Sequence, residues 1–239
     1  MSFDLIAPWF QTLESVAFGN SLQHCRIACL REIKSPRRVL LAGEANGRFL
    51  SELLQLHPEV EVDCLDASHR MLELARQRIN RLMPGNAARV RFLHRDIKSW
   101  VAPKRQYDLV ATHFFLDCFP EPDLSGIIKK LSGVAKDDAT WLLSDFRVPH
   151  SLVARLRAQS WLATMYLFFR VTARIEASEL IDPTPFMRHE GFVLERQQLS
   201  QNGMLKSEIW RKSANAILGG AARCGVREGS ELIGNRRDN

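Results

Sequence analysis

Apolar positions along the chain follow two alternating periods. Short runs dense in Val, Leu, Ile and aromatic residues alternate with stretches in which apolar residues return every three or four positions. The first pattern predicts strands at Arg37 to Ala42, Glu59 to Leu65, Val90 to His94, Tyr107 to Thr112 and Thr140 to Asp145. The second predicts intervening helices, one of them from Arg70 to Arg81 with Ser68 as its N-cap. Such alternation implies a parallel sheet with right-handed crossovers. Phe192 to Gln198 and Met204 to Arg211 read as two more strands around Asn202-Gly203, a dipeptide that favours a tight hairpin turn. Ahead of the sheet, Ile6, Phe10, Leu13, Val16, Leu22 and Leu30 recur at helical spacing with a break at Gly19-Asn20, which predicts two helices. Ser151 to Ile175 predicts a helical stretch rich in aromatic residues and methionine. Ser213 to Asn239 lacks periodicity and is rich in Gly, Arg and Asn, which predicts a mobile tail.

The most informative stretch runs from Val39 to Ser68. Val39, Leu40 and Leu41 end at Gly43, and Gly47 precedes the apolar positions Phe49, Leu50, Leu53 and Leu54, so the order is strand, tight turn, helix. Glycines allow a sharp turn and leave no Cβ between the backbone and a ligand, while the first free helix amides face the space above the strand. An anionic group can dock there. The next strand delivers Asp66 at its carboxyl end, where an acid accepts hydrogen bonds from ribose hydroxyls. Adenosine is therefore the expected ligand. The series Gly43-Glu44-Ala45-Asn46-Gly47-Arg48 lacks both later glycines of G-x-G-x-x-G, which argues against NAD and FAD. Taken singly, Asp66 and Asp96 also suit helix capping.

Composition adds bounds rather than chemistry. At 239 residues, with 46% hydrophobic and 25% charged residues, the chain suits one full α/β domain with extensions. The five cysteines form no CxxC pair and no metal-like cluster, so no metal is expected and a reducing cytoplasm fits. No signal peptide and no membrane span are expected. The net charge of +6 comes largely from dispersed arginines and from the tail, which reads as a solvated surface.

The pattern G-x-A-x-G at Gly43 to Gly47 resembles motif I of class I S-adenosylmethionine-dependent methyltransferases. Two departures stand out: Ala45 replaces the middle glycine, and Leu41 stands where the family carries an acid that holds the methionine ammonium. VRFLHRDIKSW (Val90 to Trp100), YDLVATHFFLDCF (Tyr107 to Phe119) and the opening FDLIAPWF (Phe3 to Phe10) resemble further segments of that family in the right order. The likeness is greatest to small-molecule methyltransferases of the ubiquinone and menaquinone biosynthesis type. It implies a Rossmann-like, seven-stranded, mostly parallel sheet in the order 3-2-1-4-5-7-6 with helices on both faces. It implies an N-terminal helical cap over 1–34, a methyltransferase domain over 35–212 with a lid insertion at about 150–176, and a basic tail over 213–239. S-adenosylmethionine, leaving as S-adenosylhomocysteine, would be held by Gly43, Glu44, Ala45, Gly47, Asp66, Ala67, Met71, Asp96, Ile97, Thr112 and His113. Glu44 is a candidate to replace the missing acid.

Phe10, Phe18, Phe114, Phe115, Asp145, Trp161, Tyr166 and Phe169 would enclose an apolar or aromatic small-molecule acceptor. His113 and Asp117 are the candidate bases, with Asp145 and His150 behind them, and the acceptor atom is left open as O, N or C. His113-Phe114-Phe115-Leu116 replaces the Asn/Asp-Pro-Pro-aromatic segment of nucleic-acid amino methylases, so no nucleic-acid partner is expected. The chain is expected to work as a monomer or homodimer. An RNA or protein methyltransferase, and a cofactor-binding protein without turnover, remain the alternatives.

Overall fold

A computed structural model describes residues 3–149 and 179–213, and single positions 155, 160, 161, 165, 170, 172 and 177 between them. The expectations placed on His150, Tyr166, Phe169 and the tail 214–239 lie outside the described residues.

Seven strands form one sheet: β1 (Arg38–Ala42), β2 (Glu61–Asp66), β3 (Val90–His94), β4 (Tyr107–His113), β5 (Ala135–Phe146), β6 (Phe192–Ser200) and β7 (Leu205–Lys212). Their order is β3-β2-β1-β4-β5-β7-β6, as expected. The first five are parallel, and β7 runs antiparallel to both β5 and β6. Because successive side chains of a strand point to opposite faces, β1 feeds two cores. Leu40 and Ala42 join a cluster with Leu124, Ile127 and Ile128 of α5 (Glu121–Val134). Val39 and Leu41 join Phe49, Leu50, Leu53 and Leu54 of α3 (Arg48–Leu56). Those four α3 side chains are fully buried, each worth about 1.5–3 kcal/mol.

Two elements differ from their predicted bounds. β5 begins at Ala135, ahead of Thr140, and reaches Tyr107 across a register shift; the polar Lys136-Asp137-Asp138 hides this start from a hydrophobic pattern. The β6–β7 connection uses Gln201 as well as Asn202 and Gly203, all three with positive φ, so the turn is longer than a two-residue hairpin.

The amino-terminal segment forms α1 (Phe10–Phe18) and α2 (Ser21–Ile27), parted at Gly19 with φ +59°. Its apolar positions do not all enter a core. Ile6 and Leu22 are buried, whereas Val16 is 83% exposed, and Leu13, Val16 and Ala17 face the mouth of a cavity. This segment is tied to α4 (His69–Leu82): Ser68 caps the helix by accepting from the Met71 amide at 3.1 Å, and Asp4 accepts from Ser68 Oγ at 2.6 Å and from the Arg70 amide at 3.0 Å. A further helix, α6 (Thr184–His189), precedes β6. Among the described residues no helix is long and apolar enough to cross a membrane.

Candidate active site

In a parallel sheet the strand amides and carbonyls leave a crevice outside the carboxyl ends, where loops must turn back to helices. Here that crevice is a cavity of about 430 Å³, within the range of small-ligand pockets. The turn after β1, the ends of β2 and β4, the loop after β3, and helices α1 and α2 enclose it. Of the expected cofactor residues, Gly43, Glu44, Ala45, Asp66, Ala67, Met71, Asp96, Ile97 and His113 line it. Of the expected acceptor residues, Phe10, Phe18, Phe114, Phe115 and Trp161 do, as does Asp117.

Three expected residues are turned away. Gly47, with φ +78°, opens α3 against α4, and a Cβ there would lie 2.9 Å from the Ala75 Cα, so this glycine serves helix packing. Thr112 is buried in the sheet and accepts a hydrogen bond from Trp141 Nε1 at 2.9 Å. Asp145 lies behind the cavity wall, its Oδ1 accepting from the Phe146 amide at 2.8 Å and its Oδ2 buried with no hydrogen-bond partner. Trp100 faces a separate surface recess with Arg91 and Tyr107.

Asp66 is fixed before any ligand arrives. Oδ1 accepts from the Ser68 amide at 2.8 Å and Oδ2 from the Ala45 amide at 3.4 Å, Ala45 adopting φ +59° to present it. Burial raises its pKa to about 6, against these two bonds. A carboxylate so held, at a cavity wall, can accept from a vicinal diol. Asp96 is similarly held, its Oδ1 accepting from the Lys98 amide at 2.8 Å, beside the apolar surfaces of Ile97 and Met71.

Glu44 is already engaged. Its Oε1 accepts from the Leu50 amide at 2.9 Å, satisfying a free donor in the first turn of α3, and burial raises its pKa to about 7. The carboxyl acts as a cap for α3 rather than as a free acid for a cation. The other side of the turn is covered by Phe115, whose ring lies where a Cβ on Gly43 would point, 2.2 Å from that position. A ligand placed over Gly43 must displace this ring.

The two candidate bases differ in their surroundings. His113 is buried, packs against Phe49 with tilted ring planes and centroids 4.2 Å apart, and both ring nitrogens lack a hydrogen-bond partner. Burial, and then the Arg26 charge, hold its pKa well below the ordinary histidine range, so the ring stays neutral and weakly basic. Asp117 sits in the turn Leu116–Cys118 and is raised by burial well above the carboxylate range. Asp145 is raised by burial and by the charge of Asp117, and lowered by Lys206. A carboxyl tuned upward is better matched to accepting a proton near neutral pH than a histidine tuned downward.

Four charged lining residues, Glu14, Arg26, Arg95 and Lys98, escape the sequence reading. Glu14 of α1 and Arg26 of α2 form a buried ion pair in the cavity wall, with Arg48 Nη1 3.6 Å from Glu14 Oε2. The available signal was a lone acid on the apolar stripe of α1. Aromatic contacts complete the enclosure: Phe114 and Phe18 pack on Phe146 at 5.0 and 5.6 Å, and Phe18 meets Trp161 edge-on at 5.5 Å.

Residues 39–138 match the family model described as methyltransferase domain. No curated protein matches the chain in sequence. Among solved structures, the mitomycin 7-O-methyltransferase is similar with a TM-score of 0.62 and 14% identity, over 89% of this chain and 61% of its own length. A magnesium protoporphyrin IX methyltransferase from Synechocystis PCC 6803, with bound SAH, has a TM-score of 0.60 and 18% identity, over 85% of this chain and 87% of that one. A 1,6-didemethyltoxoflavin-N1-methyltransferase from Burkholderia thailandensis, with its substrate and S-adenosylhomocysteine bound, has a TM-score of 0.61 and 14% identity, over 88% and 86%. At these identities the likeness is one of architecture: the chain has the methyltransferase fold, and its sheet from β1 into β5 matches a methyltransferase domain.

Proposed function

We propose that the chain transfers a methyl group from S-adenosylmethionine to an apolar or aromatic small molecule. The observation that carries this reading is the single cavity wall that joins a pre-set diol acceptor, Asp66, to an aromatic enclosure containing Asp117. Asp66 would take the ribose hydroxyls, while Asp96, Ile97 and Met71 would border the adenine. The bound cofactor supplies an activated methyl group on a sulfonium, so this chain's own task is mainly to align the acceptor and exclude water. Orientation of that kind lowers a barrier by roughly 7–11 kcal/mol.

The enclosure of Phe10, Phe18, Phe114, Phe146 and Trp161 supports a flat apolar acceptor. Of the expected lid at about 150–176, which lies mostly outside the described residues, Trp161 and Met165 line the cavity. Asp117 would accept the acceptor's proton, with His113 as a neutral wall residue beside the methyl group. The named substrates of the structural neighbours, an oxygen acceptor in one and a nitrogen acceptor in another, support a small-molecule acceptor without choosing its atom. The four cysteines among the described residues are buried and free, which supports a reducing compartment such as the cytoplasm.

The test is a screen of phenols, quinols and heterocycles with cofactor labelled on the methyl group, scored by label in the extracted product. Label should move to at least one apolar acceptor. Binding of cofactor without transfer to any member, together with transfer to RNA or protein, would replace this reading.

A further inference from the structure

Glu14 and Arg26 stand out because a desolvated ion pair in a cavity wall is costly unless something else uses it. Arg26 Nη1 donates to Glu14 and, at 3.4 Å, to Gln23 Oε1. Its Nε and Nη2 donate to nothing among the described residues, although the side chain is only 10% exposed. Glu14 Oε2 is likewise buried without a hydrogen bond, with Arg48 Nη1 3.6 Å away. The Arg26 guanidinium lies 5.2 Å over the Phe114 ring, and its charge is felt by both His113 and Glu44. It therefore sits beside the glycine turn and the end of β4, where the non-nucleoside end of a ligand anchored at Asp66 must run.

The turn itself offers that end no free acid. Leu41 is apolar and buried, and Glu44 is spent on the Leu50 amide. We propose that Glu14 and Arg26 form the subsite for the amino-acid end of the cofactor, Arg26 taking the carboxylate and Glu14 the ammonium. A zwitterion suits a pre-formed ion pair because each charge meets its opposite, and the buried pair stays neutral overall on binding. Arg48 Nη1, 3.6 Å from Glu14 Oε2, flanks this carboxylate from α3. This assignment rests on the cofactor reading above.

Calorimetry on the whole chain can separate the two. S-adenosylhomocysteine is compared with S-adenosyl-3-thiopropylamine, which lacks only the carboxylate, and with 5′-methylthioadenosine, which lacks the whole amino-acid end. The wild type should prefer S-adenosylhomocysteine to the thiopropylamine by at least about 30-fold, the lower bound for truncating one partner of a buried charge pair. Arg26→Gln should erase that preference while leaving methylthioadenosine affinity unchanged, and Glu14→Gln should weaken both amine-bearing ligands. Equal wild-type affinity for all three nucleosides overturns the subsite and leaves the cofactor reading standing. Failure of all three to bind removes the cofactor reading itself. The wild-type comparison carries the test even if the Arg26 variant does not fold.

Discussion

Two backbone amides, from Ala45 and Ser68, hold Asp66 in place, yet burial still raises its pKa to about 6. A diol that donates to this carboxylate favours the charged form, so binding must release a proton where the free carboxyl is partly protonated. Affinity for S-adenosylhomocysteine should therefore fall as pH drops through about 6. Calorimetry at that pH in buffers of different ionisation enthalpy should register the released proton. A pH-independent affinity would mean that Asp66 does not meet the ligand. At the acceptor end, Asp117→Asn should lower turnover by about 10²–10⁴-fold, the usual range for a lost general base, with cofactor affinity held. His113→Gln should cost far less, since a ring kept neutral by burial and by Arg26 is a poor proton acceptor. Initial rates across pH for both variants decide between them; the reverse ranking would restore His113 as the base. Asp66 was readable because strand, glycine turn and second strand fix where an acid must emerge. The contrast between His113 and Asp117 was not, because it depends on how much of each side chain the fold buries.

Helices α3 and α4 meet at Gly47, where a left-handed φ and a 2.9 Å approach to Ala75 coincide. Gly47→Ala should destabilise the fold by at least about 1–2 kcal/mol from backbone strain alone, with overpacking adding roughly 1–3 kcal/mol. Denaturant unfolding measures this, and a variant as stable as the wild type would contradict the packing role. The same glycine looked like part of a ligand turn, because a sequence motif does not reveal which neighbour a missing Cβ spares. Ser68→Ala should cost about 1 kcal/mol as a lost N-cap. It should also raise hydrogen exchange over residues 3–9, since Asp4 loses its hydroxyl partner. The strands were legible where both faces are apolar, as in β1 and β4. The start of β5 was not, because Lys136, Asp137 and Asp138 look like a loop.

Across the molecule, four acids at the carboxyl end of the sheet, Glu44, Asp66, Asp117 and Asp145, have pKa values raised by desolvation. An acid with a folded pKa above its unfolded value adds stability below the unfolded pKa and loses it as pH rises through the folded one. For Glu44 the window runs from 4.5 to about 7. The wild type should therefore lose on the order of 3 kcal/mol against Glu44→Gln as pH rises across that window. Glutamine still accepts from the Leu50 amide, which isolates the charge. Parallel melting curves for the two proteins would contradict the assignment. The parallel sheet was legible from the alternation of elements, while its strand order came from the family resemblance. The Glu14–Arg26 pair was not, since only the closed fold brings α1 and α2 over the sheet edge.

Whether this crevice is a methyl-donor site is tested most directly by titrating the chain with S-adenosylhomocysteine and with NAD, in the wild type and in Asp66→Ala. S-adenosylhomocysteine should bind and NAD should not, and the substitution should weaken binding by at least about 10-fold through the loss of hydrogen bonds to a charged acceptor. Tighter binding of NAD, or equal affinity for S-adenosylhomocysteine in both proteins, would contradict it.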